Sequence, residues 1–191
     1  MLELNQGMFK DKVALHQYVL LGVMGFLILL KILTGNFIFG IELLWWLFGA
    51  IIGFLFVFSD RFVYSFLMKP EEALGKRLKD LFGEKKFAEG LITLLNERHE
   101  QKELVMRSFL FLIVWLIMAL LTVTSVSSPF ARGFMLGIGI HLVFDLIFDY
   151  FWNHDRFDLW FWQIKREVGS EEKRWFVILV PIIFGLLAIN F

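Results

Sequence analysis

Three residues of one apolar stretch have the types and spacing to do chemistry: His141, Asp145 and Asp149, separated by four. That interval sets them on one face of a helix, with successive Cβ atoms roughly 6 Å apart. An imidazole and a carboxylate one turn apart can share a divalent cation, join a chain of ion pairs or pass a proton. An Asp at the centre of a membrane helix costs about 2.5–3.5 kcal/mol on insertion scales, so such groups face the interior of a bundle and need partners. At a similar level the chain offers His16 in its first apolar stretch, Asp60 and Arg61 just after its second, and Arg107 and Ser108 at the start of its third. Glu42 stands apart, toward the other end of the second stretch.

Two arrangements of these groups are chemically distinct. Asp60, Arg61, Arg107, Asp145 and Asp149 can form a buried charge network that holds three helices in register and requires no cofactor. Alternatively His141 and Asp145, completed by Asp60 and His16 or by Asp149, can hold a divalent metal that activates water against a lipid-linked ester or phosphoester. A proton relay along His141, Asp145 and Asp149 has no polar exit, because only Glu42 lies in the outer halves of the spans. No nucleotide-binding glycine loop, Ser-His-Asp pattern or H-E-x-x-H helix supplies another centre. Zero cysteines remove disulfides, thiolate metal sites and cysteine nucleophiles. His99 and His154 fall in polar segments and are expected to be solvated.

The elements that must position these groups are apolar helices. Of the 191 residues 58% are hydrophobic and 18% aromatic, a composition of the membrane class. The 19 basic and 19 acidic residues are gathered into three short polar segments, which argues against nucleic acid as a partner. A hydrocarbon core about 30 Å thick needs about 20 apolar helical residues, and five stretches meet that measure. These are residues 13–33, 37–58, 108–126, 133–152 and 175–191. The first follows Lys10 and Lys12 with no small-x-small cleavage signature and reads as a retained span. Of the 19 Lys and Arg residues, 17 fall on one side of this scheme and only Lys31 and Arg132 on the other. The excess places the N-terminus in the cytoplasm and the C-terminus outside, in an inner or plasma membrane.

The expected fold is therefore an all-α integral membrane protein with five transmembrane helices, a cytoplasmic helical hairpin and a short interfacial helix. The hairpin occupies residues 60–107, with Pro70 in the first turn of one helix, Leu74, Leu78 and Leu81 along its apolar side and Gly83 at its end. In the second helix Phe87, Leu91, Leu94 and Leu95 form a stripe suited to packing on the first, or to docking a protein partner. The charged run Glu97 to Glu103 is expected to continue helically into the third span. Residues 153–174, with Trp160, Phe161 and Trp162 ahead of Lys165 and Arg166, suggest a helix lying among lipid headgroups. Gly49, Gly53, Gly137 and Gly139 permit close helix contact within or between chains, which leaves the oligomeric state open.

The motifs near the cytoplasmic face resemble those of the bacterial inner-membrane metal-dependent hydrolase-like proteins. That family has an early G-H or T-H, a P-D-x-D-H motif ending the second span, H-R-x-x-T-H-S opening the third, and G-x-x-x-H-x-x-x-D in a later span. Gly137, His141 and Asp145 match the last motif, and His16, Asp60 and Ser108 stand where the early His, the second Asp and the Ser belong. The departures are Phe58 for the first Asp, Arg61 for the His that follows the second Asp, and Arg107 for the His before the Ser. A guanidinium cannot ligate a cation and repels one. The resemblance thus implies a degenerate relative that keeps the fold while Arg61 or Arg107 takes the place of the metal's charge. The leading expectation is a structural, scaffolding or lipid-interacting membrane protein, with a metal-dependent hydrolase as its rival.

Overall fold

The computed structural model describes residues 2–35, 40–97 and 100–191, with residues 2–14 described by backbone alone. Every element among them is helical: α1 (Leu2–Leu33), α2 (Ile41–Phe56), α3 (Ser59–Phe62), a π-helical turn (Val63–Met68), α4 (Ala73–Gly83) and α5 (Phe87–Asn96). These are followed by α6 (Phe109–Ser125), α7 (Pro129–Trp152), α8 (His154–Asp158), a 3-10 turn (Leu159–Phe161) and α9 (Ser170–Ala188). The expected start of the second span at residue 37, and His99, lie outside the described residues.

Three helical runs are long and apolar enough to cross a membrane: Leu15–Leu33, the run Ile41–Met68 and Pro129–Trp152. The 17 residues of α6, apolar from Phe109 to Leu121, reach only about 26 Å at 1.5 Å per residue. Helix α9 opens on the polar residues Ser170 to Arg174 before its apolar run begins.

Helix α7 is the hub, touching α1, α2, α6, α8 and α9. Ser128 caps its first turn by accepting from the Ala131 N–H, and Pro129 occupies the position where a missing N–H costs nothing, so the helix begins four residues before the expected boundary. Its closest neighbour is α2. Gly49 and Gly53 on α2 face the Phe130 and Phe134 carbonyls, while Gly133 and Gly137 on α7 face those of Trp46 and Ala50. A Cβ at any of the four would fall on a backbone oxygen, so two small-xxx-small ridges let the backbones touch. Gly139 instead makes room for the rings of Trp115 and Phe184. Across the bundle the Trp115 indole donates to the Met135 carbonyl at 3.1 Å, tying α6 to α7.

The outward faces are apolar: Leu21 and Phe26 on α1, Leu44 and Leu55 on α2, Ile117 and Leu121 on α6, and Ile178 and Ile182 on α9 are all exposed. Arg61, Arg107, His16, His141, Asp60, Asp145 and Asp149 are buried. Apolar surface outside and charge inside invert the distribution of a water-soluble domain.

The cytoplasm-assigned segments depart from expectation in four places. Pro70 lies in the turn before α4, not within its first helical turn. The hairpin core is formed by Leu74, Leu78 and Leu94, whereas Phe87 and Leu91, expected in the same contact, are exposed. The chain does not run helically from Glu97 into α6: α5 stops at Asn96 and α6 starts at Phe109. The reason is Asp60, whose carboxylate takes the Val105 and Met106 N–H groups that a continuing helix would need. Finally, residues 153–174 hold the five-residue α8, a 3-10 turn and, from Ser170, the first turn of α9, and Trp160 and Phe161 point into the core.

Candidate functional site

Four side chains from two helices and one loop end meet: His16 of α1, His141 and Asp145 of α7, and Arg107 just before α6. Asp145 is fully buried, and its two oxygens face different partners: Oδ1 lies 3.0 Å from His16 Nε2 and Oδ2 lies 2.6 Å from Arg107 Nε. A carboxylate only accepts, so both nitrogens donate to it. His141, one turn earlier on α7, has Nδ1 2.8 Å from the Phe54 carbonyl on α2 and Nε2 3.2 Å from Arg107 Nη2. The carbonyl requires a proton on Nδ1 and the guanidinium requires a lone pair on Nε2, so the ring is the neutral Nδ1–H tautomer. Arg107 thus bonds both to Asp145 and to His141, whose Nε2 and Oδ2 atoms are themselves 3.3 Å apart.

Local structure explains why Arg107 arrives there. Ser108 has extended backbone, its Oγ accepts from the Phe111 N–H to cap α6 and donates to the Val105 carbonyl at 2.6 Å. Asp60 binds the preceding Val105 and Met106 N–H groups at 2.9 and 2.8 Å. The two devices fix the loop entering α6 and direct Arg107 at α7.

The remaining expected residues lie nearby in other roles. Asp60 is buried and caps the loop, taking the Val105 and Met106 N–H groups and lying near enough to Arg107 to feel its charge. Arg61, next in sequence, directs Nη1 to the Leu95 carbonyl at 3.0 Å, joining the end of the second span to the hairpin, and its guanidinium lies 5.7 Å from the Phe58 ring. Asp149, one turn beyond Asp145, accepts from the Trp160 indole at 3.2 Å. Of the pairings expected of Arg61 and Arg107 with the aspartates, the observed close ion pair is Arg107 with Asp145.

His16, His141 and Asp145 each offer a metal-ligating atom within 4.8 Å of the others, the one such group of three among the described residues. The donor types suit a divalent cation, and the Phe54 carbonyl behind His141 is the sort of second-shell acceptor that orients a ligating imidazole. Arg107 stands against one: its guanidinium already bonds Asp145 Oδ2 and His141 Nε2, and its positive charge repels a cation.

Sequence reasoning missed three contributors. The Phe54 carbonyl leaves no trace in side-chain types. Trp160 was assigned to the headgroup layer, although its indole N–H binds Asp149 from eleven residues downstream. Gln101, buried, donates to the Leu94 carbonyl at 2.8 Å and ties the loop to the end of α5. On the opposite side, Arg132 donates to the Val126 and Val123 carbonyls at 2.8 and 3.4 Å, which caps the C-terminal end of α6.

Comparison with protein-family models, curated proteins and solved structures found no match to this chain.

Proposed function

We propose that this chain is a five-span inner-membrane protein of structural, scaffolding or lipid-interacting character, with its N-terminus in the cytoplasm and its C-terminus outside. The membrane domain is locked by a guanidinium-centred network of Arg107, Asp145, His141 and His16. The observation that carries this reading is the position of Arg107, which supplies within a His/His/Asp cluster the positive charge that a metal would otherwise bring. A charge held there by a side chain offers no open coordination position at which water could be activated. The apolar outer faces of α6 and α9 support counting both as spans, and the shortness of α6 is accommodated by local thinning of the bilayer. The proposed kinship with metal-dependent hydrolase-like membrane proteins then concerns fold and motif positions, with the hydrolytic chemistry lost.

A second reading keeps the chemistry: Arg107 swings aside and His16, His141 and Asp145 hold a divalent ion. The carbonyl-oriented tautomer of His141, with its Nε2 lone pair turned into the cluster, favours it. Elemental analysis of detergent-purified protein, beside Asp145→Asn and His141→Ala, separates the two. Metal-free wild-type protein supports the charge network. Stoichiometric metal that disappears in both variants overturns it in favour of the hydrolase.

A further inference from the structure

Helix α5 carries more apolar surface than its hairpin uses. Gly90 sits against the Phe82 ring of α4 and Leu94 packs on Leu74 and Leu78, yet Phe87, Ala88, Leu91 and Ile92 are exposed. These four fall within an arc of about 140° at 3.6 residues per turn, and the arc contains no ionisable side chain. Helix α4 is the opposite case: Lys76, Arg77, Lys79 and Asp80 are exposed on its outer face while Leu74 and Leu78 turn inward. One side of the hairpin is built for water and the other is not.

The attachment of the hairpin bears on what covers that side. The run Ile41–Met68 has 28 residues, about 42 Å at 1.5 Å per residue, against a hydrocarbon core about 30 Å thick. A tilt of about 20°, the average for membrane helices, still leaves it about 39 Å tall. The buried pair Asp60 and Arg61 comes about 20 residues into the run, the length that the core requires, so Phe62–Met68 extend into the headgroup layer. Both ends of α5 are tied to that stretch. Arg61 Nη1 donates to the Leu95 carbonyl at 3.0 Å, and Phe87 reaches Phe66 through Phe82, with successive ring centroids 5.8 and 5.7 Å apart. The ring series ends on Phe62, 6.3 Å from Phe66.

We propose that the hairpin is a membrane-surface element. Helix α5 rests among the headgroups of the bilayer that the chain itself spans, with Phe87, Leu91 and Ile92 turned to the acyl boundary and the charged face of α4 to water. The proposal rests on the membrane-spanning reading above and gives its lipid-interacting character a place. Residues 60–107 carry ten basic and nine acidic side chains, so apolar burial, not attraction to anionic lipid, holds α5 there.

The test is nitroxide accessibility in full-length protein reconstituted at low density in phosphatidylcholine bilayers. The label is carried by single cysteines, Leu91→Cys, Ile92→Cys, Lys76→Cys or Ile51→Cys; all four native side chains are exposed, so none of the variants removes a core contact. Oxygen, which concentrates in lipid, and a water-soluble nickel chelate serve as the two relaxing agents. The expected result is that oxygen outweighs the chelate by about three-fold or more at both α5 positions, as at position 51 of α2, while the chelate outweighs oxygen at position 76 of α4. Chelate dominance at positions 91 and 92 with oxygen dominance at position 51 overturns the proposal and leaves the membrane-spanning reading standing. Shielding of positions 91 and 92 from both agents also overturns it, because a second copy of the chain then covers the arc. Chelate dominance at position 51 removes the membrane-spanning reading itself, and the proposal with it.

Discussion

Replacing Asp145 by Asn removes one negative charge and changes almost no volume, so it measures what the carboxylate contributes. The native group accepts from His16 Nε2 at 3.0 Å and from Arg107 Nε at 2.6 Å. An Asn side chain has one accepting oxygen and one NH2 group, so one of those donors must face another donor. Arg107, 6% exposed, is then left with its charge uncompensated. Breaking a buried ion pair by removing one partner costs about 3–5 kcal/mol, against an average of about 0.6 kcal/mol for ordinary interhelical hydrogen bonds in a membrane. The gap decides between a charged lock and an incidental contact. The assay is reversible unfolding in mixed micelles, run on Asp145→Asn, Arg107→Gln and the double variant. The expected outcome is a loss of about 3 kcal/mol or more in Asp145→Asn, with the double variant losing clearly less than the sum of the singles. A loss under about 1 kcal/mol, or strict additivity, would refute the network as the element that holds α1, α6 and α7 together.

Three other outcomes are expected. Gly137→Ala places a methyl against the Ala50 carbonyl and should destabilise by about 1–3 kcal/mol in the same assay, whereas Gly185→Ala, with open space around it, should not. Because the native chain has no cysteine, single-cysteine labelling is free of background. A membrane-impermeant maleimide applied to intact cells should label Ser127→Cys, between α6 and α7, and leave Glu89→Cys on α5 unlabelled; the reverse would invert the proposed topology. The Arg166 guanidinium beside Glu172 holds its carboxyl down to about 2, helped by the Gly169 N–H. A depressed carboxyl contributes above its unfolded value and loses that contribution as pH falls through the folded one. An NMR titration should therefore find Glu172 charged through pH 4.5, and Arg166→Ala should raise its midpoint.

The site was legible in the sequence to the extent that it depended on helix periodicity. Spacing by four put His141, Asp145 and Asp149 on one face, and the cost of burying a carboxylate in an apolar helix required partners for them. Ser108 marked the start of α6 because capping is a local property, whereas the expected start of α7 at 133 passed over the equally local Ser128 cap and Pro129. The identity of the partners was not local. Arg61 and Arg107 have the same charge and reach, and both stand at the end of an apolar stretch. Only the cap that Asp60 places on the loop before α6 turns Arg107 toward Asp145, while Arg61 meets the end of α5. The same loop explains why Glu97 to Glu103 did not continue into α6.

Composition and hydropathy by themselves determined a helical chain with membrane-compatible spans, since apolar length and period are one-dimensional properties. Tertiary structure decided that α2 and α7 meet through four glycines, that Trp160 turns inward to Asp149, and that a guanidinium fills the His16, His141 and Asp145 cluster. Each of these depends on which backbones approach closely in three dimensions and on where an amide or carbonyl has been left to bond. Neither is written in the type of any single residue.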